Sequence, residues 1–261
     1  MNSPTQVVTE FLHRGVRALL THSVDAWVAR QDHLRLIQVG TNDEVMADPV
    51  HEIVKQAKVT SVLAEPVPYT FTRLAMTYEA YPQVTCRQVA VVPMEGVPTV
   101  PFFYFAPKPG LRWDDVYSGW ASTKREHLEK FRPFVPDFDQ LISTENVPAT
   151  TLAQLFRETN WPGVDLLQID VEGLDVALVS SIPFEQWAPR LIRFEHIHGD
   201  RRELDALLER LHAEGYRTFS HGFDTLCVRK AEMPSFRWLA CVRRAHPAWF
   251  MPPKTTSGAY Q

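Results

Sequence analysis

The stretch VDLLQIDVEG, residues 164–173, carries an apolar run that stops at Asp170, with a second acid, Glu172, two places on and Gly173 beside it. The run is short and rich in Leu, Ile and Val, the composition of a strand covered on both faces. Charge at the end of such a strand is either a solvated cap or part of a site, and the neighbouring segments decide between them. RLIRFEH (190–196) follows downstream, and LRLIQVG (34–40), VTSVLAE (59–65) and VTCRQVAVV (84–92) precede it, all short and rich in β-branched and leucine side chains. Helical lengths separate them, among them DPVHEIVKQA with Pro49 suited to a first turn, and TTLAQLFRET with a threonine cap before apolar spacings of three and four. Strands alternating with helices pair in parallel and need crossover helices on both faces, so the expected fold class is α/β, a doubly wound sheet. Beyond LERLHAEGYRTF, the turn SHGFD leads into TLCVRK, which predicts an antiparallel hairpin at one edge.

This reading divides the 261 residues into an N-terminal helical segment (1–33), a main domain (34–230) and an aromatic extension (231–261). Phe11, Leu12, Val16, Leu19 and Leu20 mark an amphipathic helix packed on the sheet. Residues 93–149 part the third and fourth strands by far more than a usual connection, and carry FFYF (102–105) and SGWASTKREH (118–127). A segment of this length in a compact domain is a lid or acceptor-binding element, or else a peripheral hairpin and helix. The extension, with Trp238, Trp249 and Phe250, is too aromatic to be disordered; it docks on its own domain or on a second copy, which leaves a homodimer open.

Composition removes several classes of function. With 27 basic and 31 acidic side chains the chain has a net charge of -4, which gives no long-range attraction to nucleic acid or to an anionic membrane. Cys86, Cys227 and Cys241 are odd in number and widely spaced, so they read as thiols in a reducing compartment. The start, MNSPTQVVTEFLHRG, lacks the pattern of a secretory signal, and the expected location is cytoplasmic.

In open α/β sheets ligands bind beyond the carboxyl ends of the strands. Here those ends read Gly40-Thr41-Asn42-Asp43-Glu44, Glu65-Pro66, Asp170-Val171-Glu172-Gly173 and Glu195-His196-Ile197-His198. A glycine at the first turn permits close backbone approach, and an acid closing the second strand suits a ribose, which together fit an adenosine ligand. A dinucleotide would bring a pyrophosphate to a glycine-rich turn, whereas this turn has one glycine and the acids Asp43, Glu44 and Asp48. S-adenosylmethionine has no phosphate and carries a sulfonium and an ammonium, so the acids favour it.

The blocks LIQVGTNDEVMADP, VLAEPVP, VTCRQVAVV, SGWASTKREHLEKF, VPATTLAQLF and DLLQIDVEGLDVALV resemble, in order, those of the FkbM-type S-adenosylmethionine-dependent methyltransferases. The resemblance spans residues 34 to 196 and implies a seven-stranded methyltransferase sheet. It places Gly40, Thr41, Asn42 and Asp43 beside the methionine part of the donor, Glu65 and Pro66 at the ribose, and Gln88, Val89 and Ala90 near the adenine. Glu44 stands where the family usually has glycine.

Methyl transfer to oxygen requires an aligned hydroxyl and a group that takes its proton. Asp170 and Glu172 lie next to the expected donor site and share a face if the strand stays regular. Asp170, Glu195 and His196 are a candidate set for magnesium or manganese, and His196 or His127 a candidate general base. The expected activity is O-methylation of a sugar, oligosaccharide or glycosylated metabolite. A nicotinamide-dependent oxidoreductase and a non-catalytic methyltransferase-like subunit are the alternatives.

Overall fold

The computed structural model describes residues 20–42, 49–171, 173–245 and 247–250. Its centre is a seven-stranded sheet built from β1 (Leu34–Val39), β2 (Val59–Ala64), β3 (Val84–Arg87), β8 (Leu166–Ile169), β9 (Leu191–Glu195), β10 (Tyr216–His221) and β11 (Asp224–Arg229). The strand order is β10-β11-β9-β8-β1-β2-β3. β1 pairs in parallel with both β2 and β8, so the chain reverses its direction of travel across the sheet at β1. That reversal opens a crevice at the carboxyl ends of β1 and β8. The expected hairpin of β10 and β11 is present, but β11 lies inside the sheet, antiparallel to both β9 and β10.

Strand alternation divides the core into two layers. Ile37, Val39, Val62, Ala64, Leu167, Ile169, Ile192 and Phe194 face one way and meet α6 (Leu152–Glu158), α7 (Asp175–Ser180) and α8 (Arg201–Ala213). Leu34, Leu36, Leu63, Leu166, Leu191 and Leu226 face the other way, under Leu20, Val24, Trp27 and Val28 of helix α1 (20–29), α2 (His51–Val54) and α3 (Pro68–Thr77). Helices on both faces explain why these strands are almost continuously apolar. Thr151 caps α6 as its sequence predicts, accepting from the Gln154 amide at 3.2 Å. Pro49, by contrast, stands one place before the N-cap Val50 of α2. Of the N-terminal helix predicted around Phe11 to Leu20, Leu20 is buried and the rest lies outside the described residues. The extension as far as Phe250 packs on its own sheet, through α9 (Arg237–Ala245) and a ring contact of Phe250 with Phe219. No helix among the described residues is long and apolar enough to cross a membrane.

VTCRQVAVV, read as one strand, is two. The chain leaves the large sheet after Arg87 and enters a second one at β4 (Ala90–Val91). That sheet has the order β4-β7-β5-β6, with β5 (Thr99–Phe105), β6 (Ala121–Ser122) and β7 (Ile142–Thr150). It has its own apolar centre of Phe105, Tyr117, Leu128, Val135, Phe138 and Leu141. The short helices α4 (Arg125–Glu129) and α5 (Phe138–Leu141) close this centre, and Arg132 binds Glu129 and Asp139 across its rim. The inserted segment is therefore a folded subdomain and not an irregular loop.

Candidate active site

Where β1 ends, the backbone turns through two residues of positive φ, Gly40 (76°) and Asn42 (53°). Gly40 is compulsory for a reason other than ligand access: a Cβ there would sit 1.8 Å from the Asp170 carbonyl oxygen. The ends of β1 and β8 approach this closely because the Asp170 amide still donates to the Val39 carbonyl, at 2.9 Å. The glycine thus sets the floor of the crevice and brings Asp170 to its edge.

Glu65 closes β2 and is 5% exposed. Its carboxylate accepts from the Asn42 amide at 2.9 Å and from the Val67 amide at 2.8 Å. The two amides fix a buried carboxylate, an acceptor-only group, at the end of β2. Beside it, the Asn42 side-chain oxygen is buried with no hydrogen-bond partner among the described residues. An unsatisfied acceptor of this kind awaits a donor group from a ligand or water.

These residues share one cleft of about 610 Å³, part of it open to solvent. Gly40 and Asn42 after β1, Glu65 and Pro66 after β2, Val89 and Ala90 at the start of the second sheet, and Asp170, Val171 and Leu174 after β8 line it. The second sheet supplies the fourth wall through Phe102, Ser118, Gly119, Ala121 and Thr123. Gly119 lies against Asn42, whose amide nitrogen would be 3.2 Å from a Cβ at that position. Among the described residues the charged members of the lining are Glu65 and Asp170, both acids, with no Lys, Arg or His. Such walls favour a cationic, hydroxyl-bearing molecule over one bearing phosphate. Hydroxyl and ammonium groups on such a molecule would find acceptors in Glu65 and in Asn42 Oδ1.

Several expected site residues fall elsewhere. Thr41 is buried beneath the turn and Gln88 is exposed outside the cleft, and neither lines it. Asp43 and Glu172 lie outside the described residues, as does Glu44. Asp170, Glu195 and His196 do not form a metal site, since no three His, Cys, Asp or Glu side chains gather for one among the described residues. Glu195 and His196 are consecutive in extended chain, so they leave opposite faces of the sheet. Glu195 lies 3.6 Å from His198 Nε2, whereas His196 turns into the core and meets the Thr225 hydroxyl at 3.0 Å.

His196 also fails as the general base. It is 3% exposed, and burial lowers its pKa to about 4, with Asp224 opposing and Arg201 assisting the shift. At neutral pH it is an uncharged member of a buried Ser220–Thr225–His196 hydrogen-bonded chain. His127 comes closer to the site, because α4 leans back onto the loop after β8. Its ring meets His198 edge to face with centroids 5.1 Å apart, and a Cβ on Gly173 would be 3.4 Å from it. Its Nε2, 2.8 Å from Lys130 Nζ, accepts from the ammonium and does not face the cleft as a free base. Of the proposed catalytic groups among the described residues, Asp170 is the one that lines the cleft, and it is exposed there.

Sequence reading did not anticipate Phe102, Ser118, Gly119, Ala121 and Thr123 as walls of this cleft. Their segments were quoted, but a wall contributed by a separate sheet has no signature of spacing. His198 was visible only as the second member of a pair two residues apart.

The methyltransferase FkbM domain family matches residues 38–218. No curated protein matches the chain. Among solved structures, the methyltransferase FkbM from Methylobacillus flagellatus is 12% identical with a TM-score of 0.42, over 75% of this chain and 43% of that one. Precorrin-6y C5,15-methyltransferase from Geobacter metallireducens is 10% identical with a TM-score of 0.40, over 83% of this chain and 87% of that one. The N-terminal domain of human METTL16 in complex with SAH is 12% identical with a TM-score of 0.40, over 79% and 67%.

Proposed function

The chain belongs to the FkbM methyltransferase family, and from that premise we propose that it moves a methyl group from S-adenosylmethionine to a hydroxyl of a sugar, oligosaccharide or glycosylated metabolite. The observation that carries this reading is the charge of the cleft: Glu65 and Asp170 line one cavity that has no basic residue among the described residues of its lining. The donor supplies an electrophilic methyl group on a sulfonium. Glu65 accepts from the ribose hydroxyls, Asn42 Oδ1 accepts from the ammonium, and Val89, Ala90 and Val91 give the apolar surface for the adenine.

Asp170 follows β8 and Glu65 follows β2, the two strands that flank β1, and Asp170, being exposed, is available to a second substrate. Its carboxylate holds the acceptor hydroxyl in line and receives the proton at Oδ as the new bond forms. A base of this kind contributes about 10²- to 10⁴-fold in rate. The second sheet brings Phe102 to the cleft, an aromatic side chain against which a sugar ring can pack. No step is routed through a metal, since the residues expected to bind one do not converge.

Two measurements test the proposal. Titration calorimetry with S-adenosylhomocysteine is expected to show one site per chain, and Glu65→Gln to weaken it by about tenfold through loss of charge-assisted hydrogen bonds. Incubation with S-adenosylmethionine and a panel of mono- and oligosaccharides is expected to give products heavier by one methyl group in mass spectra. Binding of a nicotinamide dinucleotide in place of S-adenosylhomocysteine overturns the donor assignment. Donor binding with methylation only of non-hydroxyl acceptors overturns the acceptor class.

A further inference from the structure

The decapeptide LLQIDVEGLD ends in a third acid, Asp175, which the reading above leaves without a role. It differs from Asp170 in its surroundings: Asp170 is exposed at the cleft, and Asp175 is 3% exposed. A buried carboxylate is costly unless hydrogen bonds compensate it. Here the compensation comes from the loop just upstream. Asp175 Oδ1 accepts from the Val171 amide and Oδ2 from the Gly173 amide, both at 3.2 Å.

These two amides occupy the gap between sheet and helix. The Asp170 amide is the last in this strand to donate to β1, and α7 begins at Asp175 itself. Between them the chain has Gly173 at a φ of 114°, a conformation that local preference does not hold for any other residue type. One side chain therefore ties down both amides of a segment whose flanking residues, Asp170, Val171 and Leu174, all line the cleft.

We infer that Asp175 is a positioning residue for the transfer: by clamping the Val171 and Gly173 amides it holds the loop that aims Asp170 at the acceptor. The inference rests on the reading of Asp170 as the acceptor-side base. Asparagine at position 175 keeps one acceptor and turns an NH₂ toward the other amide, so the clamp is halved and one donor pair is opposed. A displacement of about 1 Å at a reacting group costs about 10²-fold in rate.

The test compares Asp175→Asn, Asp170→Asn and the double variant. Amide exchange by NMR is expected to rise at Val171 and Gly173 in Asp175→Asn while the amides of β1 and β8 keep their protection. Turnover at saturating donor is expected to fall by about 10- to 100-fold, and the double variant to lose no more than Asp170→Asn alone, since one residue acts through the other. Losses that multiply in the double variant, or unchanged exchange at the two amides, overturn the inference. Should Asp175→Asn not fold, Asp175→Ser, which retains one accepting oxygen, is measured in the same way. The exchange data need no turnover, so a wild-type chain that methylates no hydroxyl sinks the functional reading while the clamp is still judged by its own amides.

Discussion

β8 and β9 are adjacent parallel strands, both apolar, and both end in a charged or titratable pair, yet their ends do opposite things. β8 delivers Asp170 to the rim of the cleft, exposed and facing an apolar and acidic cavity. β9 delivers His196 into the core, where burial keeps it neutral and Thr225 holds its Nδ1. The difference is one of parity and neighbours. β8 ends beside β1 at the reversal of strand order, where the crevice opens and Asp170 lines it, whereas β9 ends beside β11, whose Thr225 meets the His196 ring. A polar residue at a strand end becomes a functional candidate when the sheet leaves it uncovered, and a structural one when the next strand runs past it.

The largest expected effect separates the two ends directly. Asp170→Asn is expected to reduce turnover by about 10²-fold or more with the melting temperature little changed, because an exposed side chain is removed from the chemistry and not from the core. His196→Gln is expected to do the reverse, lowering the melting temperature while turnover at low temperature stays close to wild type. Turnover data with calorimetric melts on both variants check the pair, and loss of turnover without loss of stability in His196→Gln would contradict the division drawn here.

Gly40→Ala tests the floor on which both ends depend. The positive φ and the 1.8 Å approach to the Asp170 carbonyl leave no room for a methyl group, so a loss of about 3 kcal/mol or more is expected in chemical denaturation.

A third effect is graded with pH. His196 has a folded-state pKa of about 4 against an ordinary 6.5, so the unfolded chain takes up the proton first. The stability this residue leaves intact is full above about pH 6.5 and falls away as pH drops toward 4, by up to about 3 kcal/mol. Denaturation curves between pH 7 and pH 4 are expected to show this slope in the wild type and a shallower one in His196→Gln. The smallest effect is that of Thr225→Val, which removes the partner of His196 Nδ1 and is expected to cost about 1–2 kcal/mol without affecting donor binding.

The large sheet is legible because its strands are short, almost continuous apolar runs separated by helical lengths. Glu65 and Gly40 were legible for the same reason: they close such runs, and the end of a parallel strand is where ligands bind. What could not be read was facing. Asp170, Glu195 and His196 look like a ligand set in one dimension, and strand alternation sends Glu195 and His196 apart. The break between Arg87 and Ala90 was hidden because both halves are strand-like, and no local signal marks the passage from one sheet to another. The wall made by Ser118, Gly119 and Ala121 depends on the pairing of β5 with β6, a contact between segments far apart in sequence. Asp175 stands two residues past Gly173, but its pairing with two amides is not legible, since a side chain reaching back to its own backbone leaves no periodic trace.

The place of β11 between β9 and β10 bears on how the chain matures on the ribosome. β10 is synthesised first, yet among the described residues β11 is its one sheet neighbour, and the outer margin of β9 waits for the same strand. Until residues 224–229 have emerged from the exit tunnel, these margins lack their partner and stay open to other nascent polypeptides. Late translation is therefore the interval in which a chaperone would matter most to this protein, and a stalled or truncated product ending near residue 223 is the species most prone to associate with its own kind.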